Sequence, residues 1–285
     1  MVYLFMRRTM VWFSYLCVLI STPVISTEME LLWSIEGKFN MPESAAYDPA
    51  REVIYVSNVN HYAKDGNGFI SRVSADGSKL ELDWLKGLHS PTGLAVRGNT
   101  LYAVDFDALV IIDLVEEKII NRIHAPDAEE SPVLNDVAIS DSGDIYVSGS
   151  RSRTIYQLND GELEVWVKDN ERLKNANGLL VNNNYLLHGG EKWTVFDKIS
   201  KEAVSSLSPM GKGLKEFDGI AEIGTGNFIV TLIDDPKLWL LREGKSPQPF
   251  SDDEIKGIDI SYDDNTNRLF VPRVGNTLSA YQITR

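Results

Sequence analysis

The chain has 285 residues, of which 43% are hydrophobic, 24% charged and 9% aromatic, an ordinary globular composition that excludes a disordered, collagen-like or coiled-coil protein. With 28 basic against 41 acidic residues its net charge is −13, so it lacks the positive footprint of a protein that binds nucleic acid or an anionic membrane. One cysteine makes neither an internal disulfide nor a cysteine-rich zinc site.

In chain order, Arg7 and Arg8 come first, then the apolar run Met10-Val-Trp-Phe-Ser-Tyr-Leu-Cys-Val-Leu-Ile20, then Val24-Ile-Ser26. A basic, then apolar, then small-residue order marks residues 1–26 as a secretory signal peptide. The run is short of the ~20 apolar residues of a membrane span; an uncleaved anchor is the other reading. A cut after Ser26 removes Cys17, the only cysteine, and implies an exported protein, periplasmic or secreted.

The rest, residues 27–285, is read as one domain in which a pattern recurs from residue 43 onward. Its six copies are Glu43-Ser-Ala-Ala-Tyr47, Thr92-Gly-Leu-Ala-Val96, Asn135-Asp-Val-Ala-Ile139, Asn177-Gly-Leu-Leu-Val181, Asp218-Gly-Ile-Ala-Glu222 and Lys256-Gly-Ile-Asp-Ile260. A period of about 40 residues in a β-rich chain signals a propeller with four strands per blade. A second apolar strand follows each copy, as in Val53–Ser57, Thr100–Val104 and Tyr185–His188, and then a third, as in Leu109–Asp113 and Trp193–Phe196. Asp76-Gly77 and Asp160-Gly161 read as hairpin turns into fourth strands. The sixth blade runs out of chain after its third strand, and Leu31–Ile35 is a spare strand ahead of the first copy. The expectation is an all-β, six-bladed β-propeller whose ring is closed by that N-terminal strand.

Innermost strands of a propeller start around the central channel, so Glu43, Thr92, Asn135, Asn177, Asp218 and Lys256 are expected to form a ring. Four of them carry carboxylate or amide oxygens. That is a hard donor set suited to calcium, which accepts six to eight oxygens in irregular geometry. Asn-Gly and Asp-Gly are also common turn formers, so each copy has a purely architectural reading as well. Second strands run back toward the ring, which places Asn58, Asp105, His188 and Arg273 at its mouth. His188 is a candidate proton-transfer group or a structural strand-end histidine. Arg273 is expected to meet an anionic substrate or to pair with Asp259 or Asp105. His61, with Tyr62, lies in the long connection Val59–Asn67, which reads as a lid or as a solvated loop. The motifs of serine hydrolases, P-loop enzymes, dinucleotide-binding enzymes and zinc proteases do not occur.

Glu43 after Pro42, then Asn135-Asp136, Asn177-Gly178-Leu179 and Asp218-Gly219, in that order, resemble the calcium-dependent six-bladed propellers of the senescence-marker-protein, gluconolactonase and luciferin-regenerating-enzyme family. The diisopropyl-fluorophosphatase and paraoxonase enzymes are relatives of that family. The resemblance spans residues from about 30 to the end and implies a catalytic calcium. It makes Glu43, Asn177 and Asp218 ligands, and Asn135 a fourth ligand or a substrate contact near the metal. It makes Asp218 the general base or nucleophile as well. Thr92, Asp105, His61, Lys256 and Arg273 are the candidate substrate contacts. Two departures stand out: Val133-Leu134 lacks the arginine with which sugar-lactonase members hold substrate, and Lys256 puts a cation in the ring. The expected function is an exported, monomeric, calcium-dependent hydrolase of a lactone or related small-molecule ester. The alternatives are a binding or scaffold propeller with structural calcium, and a propeller in which Lys256 replaces the metal's charge.

Overall fold

The computed structural model describes residues 28–127, 131–182, 184–251 and 253–284; the signal-peptide reading lies outside them. The described chain is a six-bladed β-propeller made of six antiparallel sheets. Blade 1 runs Pro42–Asp48, Val53–Asn58, Gly68–Ser74 and Leu80–Leu88, from the axis outward. Blades 2, 3 and 5 repeat this order from Pro91, Leu134 and Phe217. The six innermost strands touch one another in a closed cycle.

Two blades depart from the common plan. Blade 4 has three strands, Leu179–Val181, Tyr185–His188 and Thr194–Asp197, and its fourth is reduced to one bridge between Phe196 and Ala203. Blade 6 takes three strands from the C-terminal end of the chain. Its outermost strand is Glu28–Ile35, antiparallel to Thr277–Thr284 from Glu28↔Thr284 to Ile35↔Leu278. The closing strand expected from sequence is therefore present, three residues longer at its start. Among the described residues no helix is long and apolar enough to cross a membrane.

Strands with apolar residues on both faces must be covered on both sides, and each seam between blades does this. Tyr55 and Ile70 pack against Leu101 and Val110 between blades 1 and 2. Trp166 and Tyr146 meet Leu186 and Phe196 between blades 3 and 4. Ile54 and Val56 meet Phe270 and Leu278 where blade 6 returns to blade 1. Each buried Leu, Ile or Phe contributes roughly 1.5–3 kcal/mol, so closure is an apolar seam as well as a set of strand hydrogen bonds.

One local irregularity positions the site. The innermost strands of blades 1, 2, 3 and 5 carry the same register shift, between Pro42 and Ala45, Pro91 and Leu94, Leu134 and Val137, and Phe217 and Ile220. Bulged residues leave the ladder, so their N–H groups need other partners. Buried hydroxyls on the second strands supply them: Ser57 to Ser44, Ser148 to Asp136 and Thr231 to Gly219, at 2.9, 3.0 and 2.7 Å. The residues in the bulge are Glu43-Ser44, Thr92-Gly93, Asn135-Asp136 and Asp218-Gly219.

Candidate functional site

The bulges set two levels of side chains around the axis. The outer level is Glu43, Thr92, Asn135, Asn177 and Asp218. Four of these, all but Asn135, are at most 9% exposed. Glu43 Oε2, Thr92 Oγ1 and Asn135 Oδ1 are buried and have no hydrogen-bond partner among the described residues, and Asn177 donates a side-chain hydrogen bond to Asp218. The inner level holds two further acids, Asp136 and Asp259. Asp136 accepts the N–H groups of Val137 and Leu179 at 2.7 and 2.6 Å. Asp259 accepts the Ser44 hydroxyl at 2.5 Å and its neighbour Ile260's N–H at 2.9 Å. Glycines fill most of the rest of this level, since a Cβ at Gly93 would lie 2.4 Å from Asp136 Oδ1 and one at Gly219 would lie 2.8 Å from Asp259 Cα.

Four acids so placed repel one another. Burial, then Asp218, Asp259 and Asp136, push Glu43 well above the usual carboxylate range. Burial and Asp259 push Asp218 up to about 7, against the opposing Asn177 hydrogen bond. Asp136 is raised strongly by burial and then by Asp259, with its two backbone N–H donors opposing. Asp259 is raised to about 6 by burial. Among the described residues no basic side chain acts on Glu43, Asp218 or Asp259. A cluster of this kind either shares protons or holds a cation. Among the described residues no group of three or more Asp, Glu, His or Cys is placed to bind a metal.

Two cavities flank these levels. A cavity of 520 Å³ is lined by Asp136, Asp259 and residues that follow the ring in each innermost strand, such as Tyr47, Ile139 and Glu222. It runs from the inner level toward the opposite end of the channel and includes none of the outer five. The second, of 180 Å³, lies at the mouth and is lined by Glu43, Tyr62, Ile258 and Arg273 among others.

The structure corrects several placements. Lys256 is exposed and outside the ring. Gly257 bridges to Arg273, which aligns it with Pro42, Pro91, Leu134 and Phe217, so the sixth ring position is Ile258 and the residue after it is Asp259. The likeness of Lys256-Gly-Ile to the other copies is two residues out of step. His188 is also two residues from where it was expected. It pairs with Leu179 inside blade 4 and is completely buried, with neither ring nitrogen bonded to a described residue, and burial lowers its pKa to about 3. It is a core residue and cannot exchange protons at the mouth.

Asp105 is fully engaged by the N–H groups of His89 and Ser90 and by Arg122, each at 2.8 Å, and Asn58 by Asn40, Val56 and Ser71. Both brace the loops around the mouth. Arg273 does lie at the mouth, but its Nε donates to the Ile255 carbonyl at 2.7 Å and its Nη1 to Ser279 at 3.3 Å, not to Asp259 or Asp105.

His61 points to solvent beside Asp65. Its neighbour Tyr62 is the residue of that loop at the site. Although 58% exposed, its phenol lies in the mouth cavity, where burial and then Glu43 and Asp218 raise its pKa. Ser90 ties the loop down by bonding Ala63 N–H and the His61 and Ala63 carbonyls, at 2.9–3.0 Å.

Many solved structures share this architecture, the following two among them. A gluconolactonase from Xanthomonas campestris superposes with a TM-score of 0.65 at 14% identity, over 90% of each chain. A catalytically inactive virginiamycin B lyase from Staphylococcus aureus, with quinupristin, gives a TM-score of 0.59 at 10% identity, over 90% of this chain and all of that one. Identities this low speak for the fold and leave the chemistry to the site. No protein-family model and no curated sequence matches the chain.

Proposed function

We propose that this protein is an exported, calcium-dependent hydrolase of a lactone or related ester. The observation that carries the reading is the set of buried oxygens that lack partners among the described residues, Glu43 Oε2, Asn135 Oδ1 and Thr92 Oγ1, grouped with Asp218 where none of those residues offers a basic side chain to Glu43, Asp218 or Asp259. An unpaired buried acceptor costs about 1–3 kcal/mol, so such a set persists where something else satisfies it. Oxygen donors without histidine or cysteine suit calcium rather than zinc. Glu43, Asn135, Asn177 and Asp218 would hold the ion, which supplies polarisation of the ester carbonyl.

The remaining chemistry belongs to the chain. Asn177 orients Asp218 through their hydrogen bond. Asp218, ionised, takes a proton from water as the water oxygen bonds to the carbonyl carbon. The ester C–O bond then breaks, and its alkoxide oxygen takes the proton held by Asp218, which returns to its ionised form. Tyr62 and the loop tied to Ser90 cover one side of the mouth and limit access of bulk water. A structural-calcium scaffold is the rival reading, favoured by the origin of the four ligands in four different blades, which an ion would tie together without turnover.

Calorimetry with calcium on wild type, Glu43→Ala and Asp218→Ala, followed by a lactone panel with and without chelator, tests the proposal. Binding lost in both variants together with chelator-sensitive hydrolysis supports the hydrolase. Binding without turnover supports the scaffold, and no binding overturns both.

A further inference from the structure

We propose that the 180 Å³ cavity beside Glu43 is a subsite for an apolar alkyl or aryl substituent, so that the substrates are lipophilic lactones or esters rather than polyhydroxylated sugar lactones. The inference rests on the hydrolase reading for its substrate class, but the cavity stands on its own geometry. Its walls include Met41, Pro42, Tyr62, Ile258 and Val274, and Glu43 is in the same lining. A group seated there would be contiguous with the candidate reacting centre.

Three observations point to an apolar occupant. Met41, Tyr62 and Val274 are 46%, 58% and 64% exposed; large apolar side chains gathered at one concavity mark a ligand surface, where scattered ones need no explanation. Apart from Glu43 and Tyr62, the polar side chains of the wall are already engaged. Asn276 Oδ1 accepts the Met41 N–H at 3.0 Å, and Arg273 is held by Ile255 and Ser279. A sugar hydroxyl would find few free partners there, whereas an apolar group needs none. Gly275 lines the same cavity, and a Cβ built on it meets nothing within 4 Å, so space is open above the backbone. The size also fits, since a dry apolar cavity of about 150 Å³ accommodates benzene.

The test has two arms. In the first, kcat/KM is measured for γ-butyrolactone, γ-decalactone and glucono-δ-lactone with wild type, Val274→Asp and Val274→Trp. The expected result is a preference of about tenfold or more for γ-decalactone over γ-butyrolactone, expressed in KM, and a severalfold collapse of that ratio in both variants. Val274 is mostly exposed, so both variants should fold, and a thermal melt checks this. In the second arm, fluorine NMR follows binding of 4-fluorotoluene, which cannot be hydrolysed. Binding to wild type that Val274→Asp abolishes supports the subsite, even if no lactone turns over, in which case only the hydrolase reading fails. Turnover without chain-length preference, a preference for glucono-δ-lactone, or a probe that binds neither protein or binds both alike overturns the subsite.

Discussion

The Ser44 hydroxyl donates to the Asp259 carboxylate at 2.5 Å and accepts the Leu94 N–H at 3.2 Å. One small side chain thus joins the inner strands of blades 6, 1 and 2 at the place where the ring closes. Asp136 makes the corresponding link from blade 3 to the Leu179 N–H of blade 4, and Thr231 from blade 5 to the Ile258 carbonyl of blade 6. Ser44→Ala removes the partner of a carboxylate that stays in place. The expected loss is about 1–3 kcal/mol, read as a lower midpoint in urea at pH 8. Ser44→Thr, which keeps a hydroxyl, should retain part of this stability. Equal stability of Ser44→Ala and wild type would remove the link from the account of closure.

The acid cluster also gives stability an unusual pH dependence. Asp218 and Asp259 are raised to about 7 and about 6 from an ordinary value of 3.8. Between 3.8 and 7 the folded state therefore binds more protons than the unfolded chain, and stability falls as pH rises. In chelator, the melting temperature should climb as the buffer is taken from pH 8 to pH 5, opposite to the usual loss of paired carboxylates on acidification. Saturating calcium favours the ionised acids and should flatten or reverse the slope. A chelated protein that is most stable at pH 8 would contradict the repulsion described here.

The same repulsion predicts a variant that is stabilised while losing its site. Asp218→Asn keeps the shape of the side chain and removes one buried charge. In chelator at pH 8 it should be more stable than wild type, on the order of 1–3 kcal/mol, while calcium no longer raises its melting temperature. Two urea titrations, with and without calcium, measure both. If the variant were less stable than wild type in chelator, the Asn177–Asp218 hydrogen bond would outweigh the charge, and Asp218 would be a structural residue first.

The blades were legible in the sequence because each repeats one apolar pattern and one turn, and even the closing strand showed as a spare Leu31–Ile35 ahead of the first copy. Five of the six ring positions followed from that periodicity. The sixth did not, because Gly257 imitates Gly93 and Gly219 of the bulges and the equivalent Gly178, and its bridge to Arg273 shows the shift. Alignment on Ile260 with Val137 would have placed Asp259 beside Asp136 and removed Lys256 from the ring. His188 was misplaced because the apolar run ends there, whereas the chain continues to Gly189, whose carbonyl accepts the N–H of the ring residue Asn177. The roles of Asp105 and Tyr62 depend on contacts across a seam and on the path of a loop, which no local pattern encodes.

Closure by the N-terminal strand makes a last prediction that is independent of the chemistry. Without Glu28–Ile35, the strand Thr277–Thr284 becomes an unpaired edge, and the apolar surface against which Trp33 and Ile35 pack, with Phe270 and Leu278 in its core, is uncovered. An exposed, flat, apolar edge is a template for pairing with another chain. A variant beginning at residue 36 should melt well below the chain beginning at residue 27 and elute from a sizing column as dimers or aggregates. Adding the peptide 28–35 in trans should restore part of the monomer. If the shortened chain were monomeric and equally stable, the seam would be held by the Ser44–Asp259 link and the contacts of Ile54 and Val56 with Phe270 and Leu278, and the terminal strand would be an accessory to the propeller rather than its clasp.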